Sequence, residues 1–348
     1  MSINHLVREN ILRLTPYSSA RSEYEGRAEI FLDANENPFD TGYNRYPDPL
    51  QRELKAKISA LKGVAPEHIF LGNGSDEAID LLTRIFCEPG VSHVITLPPT
   101  YGMYRVSADI ADVAVKEVPL DKNFQPDVEA ILAAADSHSR LLFLCSPNNP
   151  TANSFALEKV KRLAERFPGI VVVDEAYIDF SGQPGCISLL RDYPRLVVLQ
   201  TFSKAWGLAG IRLGLAFASE EVIALFNKVK PPYNISQLTQ EAALKALENR
   251  QQQQEWIQQI LGQRALLAQF LSGLPFVQHV YPSDANFLLV KVDNPRGIYD
   301  FLVQRGIIVR DRSRVALCEG CLRITVGRPE ENEQLFRVLE AFGLKRER

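Results

Sequence analysis

Short apolar runs alternate with helical patterns along most of this chain, and that alternation limits what the chain can fold into. The run Ile170-Val-Val-Val173 is the clearest, because apolar residues without polar alternation suit a strand that is buried on both faces. Strands that alternate with helices pair in parallel through right-handed crossovers. The sequence therefore predicts a large α/β domain with a mostly parallel sheet sandwiched by helices. Its other strands are predicted at residues 69–71, 94–97, 114–118, 141–145, 196–199 and 213–217.

The pattern changes after one long helix that we predict at about residues 237–271. Beyond it the order becomes strand, helix, strand, strand and helix, which is typical of a smaller α+β domain. A chain of 348 residues is long for one domain and suits two. We predict an N-terminal arm at residues 1–40, a large domain at 41–245 and a small C-terminal domain at 246–348. The small domain's strands are predicted at 287–292, 307–310 and 322–326, and its helices at 298–305 and 330–342.

Composition argues against several classes of protein. The formal net charge of −3 gives no basic field that would attract nucleic acid. No apolar run approaches the ~20 residues of a membrane span, and the N-terminus lacks the apolar core of a signal peptide, so we expect a cytoplasmic protein without a membrane partner. Five cysteines fit reduced thiols. Cys318 and Cys321 have CxxC spacing, but no second pair or histidine cluster accompanies them, and we predict no metal site.

Lys204 follows the buried run 196–199, which is an unusual position for a strongly hydrated ammonium group. One use of such a lysine is covalent, because its amine can form a Schiff base with a carbonyl cofactor. The alternative is an ordinary solvated loop residue, and Lys204 alone does not decide between the two. Further polar signals follow the neighbouring predicted strands, at the edge where an open parallel sheet binds ligands.

The turn Gly72-Asn-Gly-Ser-Asp76 leads from a predicted strand into a predicted helix. A helix start offers unpaired N–H groups and the positive end of the helix dipole, which together favour anions such as phosphate. The alternative role of Ser75 is an ordinary N-cap, which is compatible with phosphate binding. The turn is neither a Walker loop nor a GxGxxG motif, so its interpretation depends on the neighbouring strand ends.

Other polar and aromatic side chains also follow predicted strands. Asp174 ends an apolar run, where a carboxylate is costly to bury without a cationic partner. A protonated pyridine nitrogen would serve, as in pyridoxal-phosphate proteins, and the alternatives are a turn cap or an arginine partner. Tyr101 could stack on a planar ligand or pack in the core. Asn149 could donate to a ligand oxygen or serve its Asn-Pro turn, and Tyr177 could place its hydroxyl in the same cleft.

Taken in order, these motifs resemble the fold-type-I pyridoxal-phosphate aminotransferases, and the fit is closest to the histidinol-phosphate branch of that family. The resemblance spans nearly the whole chain, and it departs from the family pattern at Ala152, where glycine is usual, and at Ser75, where alanine is common in close relatives. The motifs that carry it are Leu32-Asp-Ala-Asn-Glu-Asn-Pro38, Arg45-Tyr-Pro-Asp-Pro49, Gly72-Asn-Gly-Ser-Asp-Glu77, Pro99-Thr-Tyr-Gly-Met-Tyr104, Ser146-Pro-Asn-Asn-Pro-Thr151, Asp174-Glu-Ala-Tyr177, Ser203-Lys204, Gly207-Leu-Ala-Gly-Ile-Arg212 and Cys321-Leu-Arg-Ile-Thr-Val-Gly327.

The resemblance implies catalytic roles for three residues. Lys204 would form the internal aldimine with pyridoxal 5'-phosphate, and it would act as general base once a substrate amine displaces it. Asp174 would pair with the pyridine nitrogen and keep it protonated. Tyr177 would contact the ring oxygen, together with Asn149. Tyr101 would stack on the ring.

The resemblance also implies where the cofactor phosphate lies and how subunits associate. Tyr46 would reach the phosphate of the neighbouring subunit's cofactor, so a homodimer with shared active sites is implied. Within one subunit, the phosphate would be surrounded by Ser75, Asp76 (through its backbone N–H), Thr201, Ser203 and Arg212.

The reaction implied is transamination of histidinol phosphate with 2-oxoglutarate, by a ping-pong cycle. Arg323 would meet these small-molecule substrates, because a planar guanidinium suits both phosphate and carboxylate. Two alternatives stay open from sequence: an aromatic amino acid aminotransferase and a threonine-phosphate decarboxylase. The nearby Arg312 and Arg314 are expected in a solvated loop. The other expected substrate residues are Arg310, Tyr17 and Asn35.

Overall fold

Two sheets organise the chain in the computed structural model, which describes residues 3–17 and 30–346. The expected N-terminal arm at 1–40 lies partly outside the described residues, which omit 1–2 and 18–29. The strands of the larger sheet are β1 (Ile69–Asn73), β2 (His93–Thr96), β3 (Ala114–Glu117), β4 (Ser139–Cys145), β5 (Ile170–Asp174), β6 (Leu196–Thr201) and β7 (Leu213–Phe217). Their spatial order is β1-β7-β6-β5-β4-β2-β3.

Most strands of the larger sheet run in one direction. The neighbours from β6 through β5, β4 and β2 to β3 pair in parallel, whereas β7 is antiparallel to both of its neighbours, β6 and β1. The prediction of a mostly parallel sheet is confirmed. Because β7 runs against its neighbours, its first residue, Leu213, lies opposite Asn73 at the end of β1. The residues just before β7 therefore belong to the edge where the other strands end.

Alternate residues of the central strands enter two separate apolar cores, one on each face of the sheet. Leu142 and Leu144 of β4 pack in one core, and Phe143 between them packs in the other. Helices cover both faces because each face buries such side chains, at about 1.5–3 kcal/mol per large apolar residue. The helices up to this point are α1 (Glu9–Arg13), α2 (Arg52–Lys62), α3 (Ser75–Phe86), α4 (Met103–Ile110), α5 (Val128–Ala134), α6 (Leu157–Arg166) and α7 (Glu220–Val229).

The prediction of a single helix at 237–271 is wrong. It is two helices, α8 (Gln237–Glu248) and α9 (Arg250–Ser272), which meet at Asn249. The backbone of Asn249 leaves helical geometry (φ −101°, ψ 38°), and its side-chain Nδ2 donates to the Lys245 carbonyl at 3.1 Å. Asparagine side chains compete with the backbone for hydrogen bonds in this way. The 3.6-residue period of the apolar residues continues across Asn249, so the sequence pattern does not show the break. The division of the chain near residue 245 stays a prediction.

The smaller sheet is antiparallel in all its pairings and has a core of its own. Its strands are β8 (Val277–Val280), β9 (Phe287–Val292), β10 (Arg310–Asp311) and β11 (Cys321–Thr325), in the order β10-β11-β9-β8, with helices α10 (Pro295–Val303) and α11 (Pro329–Arg346). β8 has no residue fully buried, which explains why no apolar run predicts it. No helix within residues 3–17 and 30–346 is long and apolar enough to cross a membrane.

Candidate active site

The strand ends of the larger sheet meet at one cavity of about 160 Å³. β1, β4, β5 and β6 end there, and the loop before β7 reaches the same edge because of the reversed direction of that strand. All sequence-predicted cofactor residues except Tyr46 line the cavity: Ser75, Asp76, Tyr101, Asn149, Asp174, Tyr177, Thr201, Ser203, Lys204 and Arg212. The sequence did not single out the other lining residues, which are Gly74, Cys145, Ala176 and Ala209.

Asp174 ends β5 as a fully buried carboxylate. Its Oδ2 accepts a hydrogen bond from the Tyr104 hydroxyl at 2.8 Å, and its Oδ1 accepts from the backbone N–H of Ala176 at 3.1 Å. Burial raises the pKa of Asp174 to about 6, although these two bonds oppose the rise. Within the described residues no lysine or arginine forms an ion pair with it, so a buried acid faces the cavity without a cationic partner.

The amine of Lys204 lies in the cavity, 5.4 Å from the centre of the Tyr177 ring. Burial lowers the pKa of Lys204, and the positive charges of Arg323 and Arg212 lower it further, against the opposing effect of Asp174. Because a lowered pKa leaves a larger neutral fraction, this amine is better suited than a solvated lysine to act as nucleophile or base.

An anion cradle occupies one end of the cavity, where α3 begins. Gly74 precedes α3 with φ +74°, and its N–H donates to the Arg212 carbonyl at 2.8 Å. A Cβ on Gly74 would lie 2.6 Å from Nη2 of Arg212, so a glycine here lets the guanidinium approach the helix start. Thr201 Oγ1 lies 3.0 Å from Ser203 Oγ, which adds two hydroxyls to the same end. Helix N–H groups, hydroxyls and a guanidinium together are donors that suit a phosphate.

Tyr101 lines the cavity and packs against Tyr104, which is fully buried. Tyr101 donates from its hydroxyl to Asp76 Oδ1 at 3.1 Å, and its ring meets that of Tyr104 edge-on at 5.6 Å. Tyr104 in turn stacks on Phe143 at 4.6 Å. Sequence reasoning missed the role of Tyr104 as the partner of Asp174. The signal in the sequence is that Tyr104 comes three residues after Tyr101 near a helix start, a spacing that can place two side chains on the same side of a helix.

The two adjacent asparagines, Asn148 and Asn149, have different surroundings. Asn148 is fully buried and serves the turn, because its Nδ2 donates to the Pro99 carbonyl at 2.8 Å and to Thr151 Oγ1 at 2.7 Å. Asn149 faces the cavity instead, and its Oδ1 accepts from Nη1 of Arg323 at 2.5 Å. That bond links the smaller sheet, which carries Arg323, to the cavity of the larger one.

Arg310 and Arg323 are directly opposite each other in the β10–β11 pair. Opposite residues of an antiparallel pair share one face of the sheet, so both side chains lie on the face from which Arg323 reaches Asn149. The expectation that Arg312 is solvated is wrong. Arg312 is only partly exposed, and its buried Nε has no hydrogen-bond partner within the described residues, whereas Arg314 is exposed as expected.

Three expected site residues do not line this cavity in a single chain. Tyr17 is 75% exposed, and Asn35 is exposed with its backbone at φ +54°. Tyr46 is 52% exposed and stacks on Tyr233 with the ring centres 4.5 Å apart. Their roles in binding stay predictions.

The cysteines of the CxxC motif are buried in the apolar core. Burial raises the pKa of Cys318 to about 12 and that of Cys321 to about 11, which disfavours the thiolate that metals bind. Over residues 3–17 and 30–346, no group of three or more histidine, cysteine, aspartate or glutamate side chains could hold a metal ion.

Comparison with known proteins finds the same family by sequence and by fold. The family model described as "Aminotransferase class I and II" matches residues 29–339. The histidinol-phosphate aminotransferase of Cytophaga hutchinsonii is 56% identical over 345 residues, covering 98% of this chain and 99% of that relative. The crystal structure of the histidinol-phosphate aminotransferase from Clostridium acetobutylicum matches with a TM-score of 0.80 at 26% identity, over 87% of this chain and 92% of that one. The Sinorhizobium meliloti enzyme of the same name, in complex with pyridoxal-5'-phosphate, matches with a TM-score of 0.78 at 26% identity, over 86% and 84% respectively.

Proposed function

The chain belongs to the aminotransferase class I and II family, and from that membership we propose that it transfers the amino group of histidinol phosphate to 2-oxoglutarate, with pyridoxal phosphate as cofactor. The products would be imidazole-acetol phosphate and glutamate. One observation carries the proposal: a single cavity holds a partly buried amine at Lys204, a buried acid at Asp174 and an anion cradle at Arg212. Two relatives that are 56% and 53% identical to this chain share the name histidinol-phosphate aminotransferase, which supports the choice of substrate.

The residues fit pyridoxal phosphate at both of its ends. Its phosphate suits the cradle at the start of α3, where Gly74 leaves room for Arg212 and two hydroxyls lie close by. Its ring nitrogen suits Asp174, because a buried carboxylate without a cationic partner is stabilised by a protonated pyridine. Lys204 lines the same cavity with an amine that can bind the aldehyde.

When bound, pyridoxal phosphate supplies an aldehyde that condenses with amines and a protonated ring that withdraws electrons from the adjacent carbon–hydrogen bond. Lys204 Nζ can then accept the proton from the amine-bearing carbon of the substrate and later give it back. Its lowered pKa suits this exchange, because a group that both takes and releases a proton works best near neutral pH. Asp174 would keep its charge by pairing with the ring nitrogen, and the hydroxyl of Tyr104, which donates to Asp174 Oδ2, holds the carboxylate in place.

The substrate's anionic group would bind on the small-sheet side of the cavity. Arg323 reaches the cavity through its bond to Asn149 and carries a partly buried guanidinium, whose pKa is lowered mainly by burial. Arg310 lies opposite it on the same sheet face. A phosphate dianion and a carboxylate are both recognised by such planar, multiply donating groups, so the amine donor and 2-oxoglutarate can use the same place in turn.

A panel of amine donors tests the proposed reaction. The purified protein with pyridoxal phosphate and 2-oxoglutarate should form glutamate with histidinol phosphate at a kcat/KM about 100-fold above that with phenylalanine or tyrosine. The reason is that each charge-assisted bond to the substrate phosphate is worth about 1.5–3 kcal/mol. Preference for an aromatic amino acid would contradict the proposal. Release of CO2 from threonine phosphate without formation of glutamate would also contradict the proposal.

We also propose that two copies of the chain form a dimer and share their active sites. Tyr46 is a predicted phosphate contact that lies outside the cavity of its own chain, and the surface near it exposes Leu32, Phe39 and Tyr43. Large apolar side chains clustered at a surface mark an interaction site. A second copy placed there would cover these side chains and bring its Tyr46 to the partner's phosphate cradle.

Hybrid dimers test the sharing of sites. If Tyr46 serves the partner's cradle, a dimer of one Tyr46→Phe and one Lys204→Ala subunit contains one site with both residues intact. Purified hybrids, selected through two different tags, should therefore have about half the wild-type activity with wild-type cofactor affinity, whereas Tyr46→Phe alone should bind cofactor about tenfold more weakly. Hybrids whose active site binds cofactor as weakly as Tyr46→Phe would show that the sites are independent.

A further inference from the structure

Three arginines lie together where the smaller sheet meets the cavity. Arg310 and Arg323 are opposite each other in the β10–β11 pair, and Arg312 follows two residues later. The backbone N–H of Arg312 donates to the Cys321 carbonyl at 2.9 Å, so the ladder continues one step beyond β10. Because side chains two residues apart point to the same face of a strand, the side chains of Arg310 and Arg312 share the face from which Arg323 reaches Asn149.

The guanidinium of Arg312 is partly buried and incompletely bonded. Its Nε is inaccessible to solvent and has no hydrogen-bond partner in the part of the chain that the structure describes. Burial lowers the pKa of Arg312, and the neighbouring charges of Arg323 and Arg310 lower it further. Burial raises the pKa of Tyr177 in the cavity wall, and the charges of Arg323 and Arg312 oppose the rise.

The cluster holds three positive charges without protein carboxylates to balance them. Over residues 3–17 and 30–346, none of these arginines forms an ion pair with aspartate or glutamate. Asp311 is adjacent in sequence, but its Oδ1 accepts from the backbone N–H of Ser313. Cations that repel one another are unfavourable, and an anion bound among them would relieve the repulsion. The more negative the anion, the larger the relief.

We propose that Arg312 is a specificity-determining residue of this enzyme, whose partly exposed guanidinium donates to the phosphate of the amine substrate. The inference rests on the proposed function, because it takes a phosphorylated amine as the substrate. A phosphate dianion offers three acceptor oxygens and twice the charge of a carboxylate. It can therefore bind a third guanidinium in addition to those of Arg310 and Arg323, whereas a carboxylate gains less from the third. Arg312 therefore favours phosphorylated over unphosphorylated amines.

Arg312→Gln tests this inference, with Arg314→Gln as the matched control in the same loop. The measurement is the ratio of kcat/KM for histidinol phosphate to kcat/KM for histidinol, which lacks the phosphate. Loss of one charge-assisted donor should lower this ratio about 10- to 100-fold in Arg312→Gln. Arg314→Gln should leave the ratio within twofold of the wild type, because Arg314 is exposed. The KM for glutamate should rise in Arg312→Gln by a smaller factor, about threefold.

The ratio separates recognition of the phosphate from a general structural effect, because distortion of the site would slow both amines alike. An unchanged ratio in Arg312→Gln would overturn the inference and leave the proposed function intact. A wild-type protein that does not transfer the amino group of histidinol phosphate would overturn both. If Arg312→Gln does not fold, Arg312→Lys decides. It keeps the charge but lacks the planar guanidinium, so its ratio should fall about three- to tenfold, and an unchanged ratio would again overturn the inference.

Discussion

Lys204→Ala is expected to lower kcat for amino transfer by at least about 10³-fold, the largest loss that we expect from any single substitution. The substitution removes both the amine that binds the cofactor aldehyde and the base that moves the substrate proton. Lys204 is the lysine that lines the cavity, and burial lowers its pKa. The variant should still fold, because neither strand β6 nor the anion cradle depends on this side chain.

Two measurements distinguish this loss from a loss of cofactor binding. Borohydride reduction of the wild-type protein with its cofactor should attach the cofactor to the peptide that contains Lys204, as detected by mass spectrometry, and Lys204→Ala should show no such attachment. Lys122→Ala is the control, because Lys122 is exposed in the loop after β3. Attachment of the cofactor to another lysine, or a Lys204→Ala variant with near wild-type kcat, would contradict the assignment.

Asp174→Asn is expected to lower kcat by about 10²- to 10³-fold while the protein still binds pyridoxal phosphate. The amide has almost the same shape as the carboxylate but cannot hold a protonated ring nitrogen, and loss of one preorganised electrostatic group costs about this much. Glu175→Gln is a matched control, because Glu175 is equally buried but accepts from Gln200 Nε2 at 2.9 Å and from the backbone N–H of Cys186, away from the cavity. It should reduce stability with kcat within about threefold of the wild type. Equal loss of kcat in both variants would contradict a special role for Asp174.

In protein stripped of bound ligands, the difference in stability between the wild type and Asp174→Asn should depend on pH. The folded-state pKa of Asp174, about 6, is above its unfolded value of about 3.9, so between these values the native state binds more protons. The contribution of Asp174 to the free energy of unfolding therefore falls as the pH rises from about 4 to 6, by an amount on the order of 3 kcal/mol. Urea unfolding should show wild type losing stability relative to Asp174→Asn from pH 4 to pH 7. A difference independent of pH would mean that this carboxyl has an ordinary pKa.

The sequence by itself determined the elements and the residues that follow them. Apolar runs such as 170–173 and 196–199 have no polar alternation, so they specify strands buried on both faces wherever the chain places them. Polar groups that directly follow such strands, such as Asp174 and Lys204, must then lie at one edge of a parallel sheet. Local pattern and this one topological rule predicted six of the residues that line the cavity: Ser75, Tyr101, Asn149, Asp174, Tyr177 and Lys204. The family resemblance, rather than the pattern, supplied the other four: Asp76, Thr201, Ser203 and Arg212.

Only the tertiary structure decided how the groups around that cavity bond to one another. Arg212 reaches the edge because β7 runs antiparallel, and strand direction depends on the partner strands rather than on the local sequence. The bond from Tyr104 to Asp174 and that from Arg323 to Asn149 join residues 70 and 174 positions apart. Pairings between distant segments have no local period, so the sequence pattern predicts which residues are present at the site but not which atoms meet.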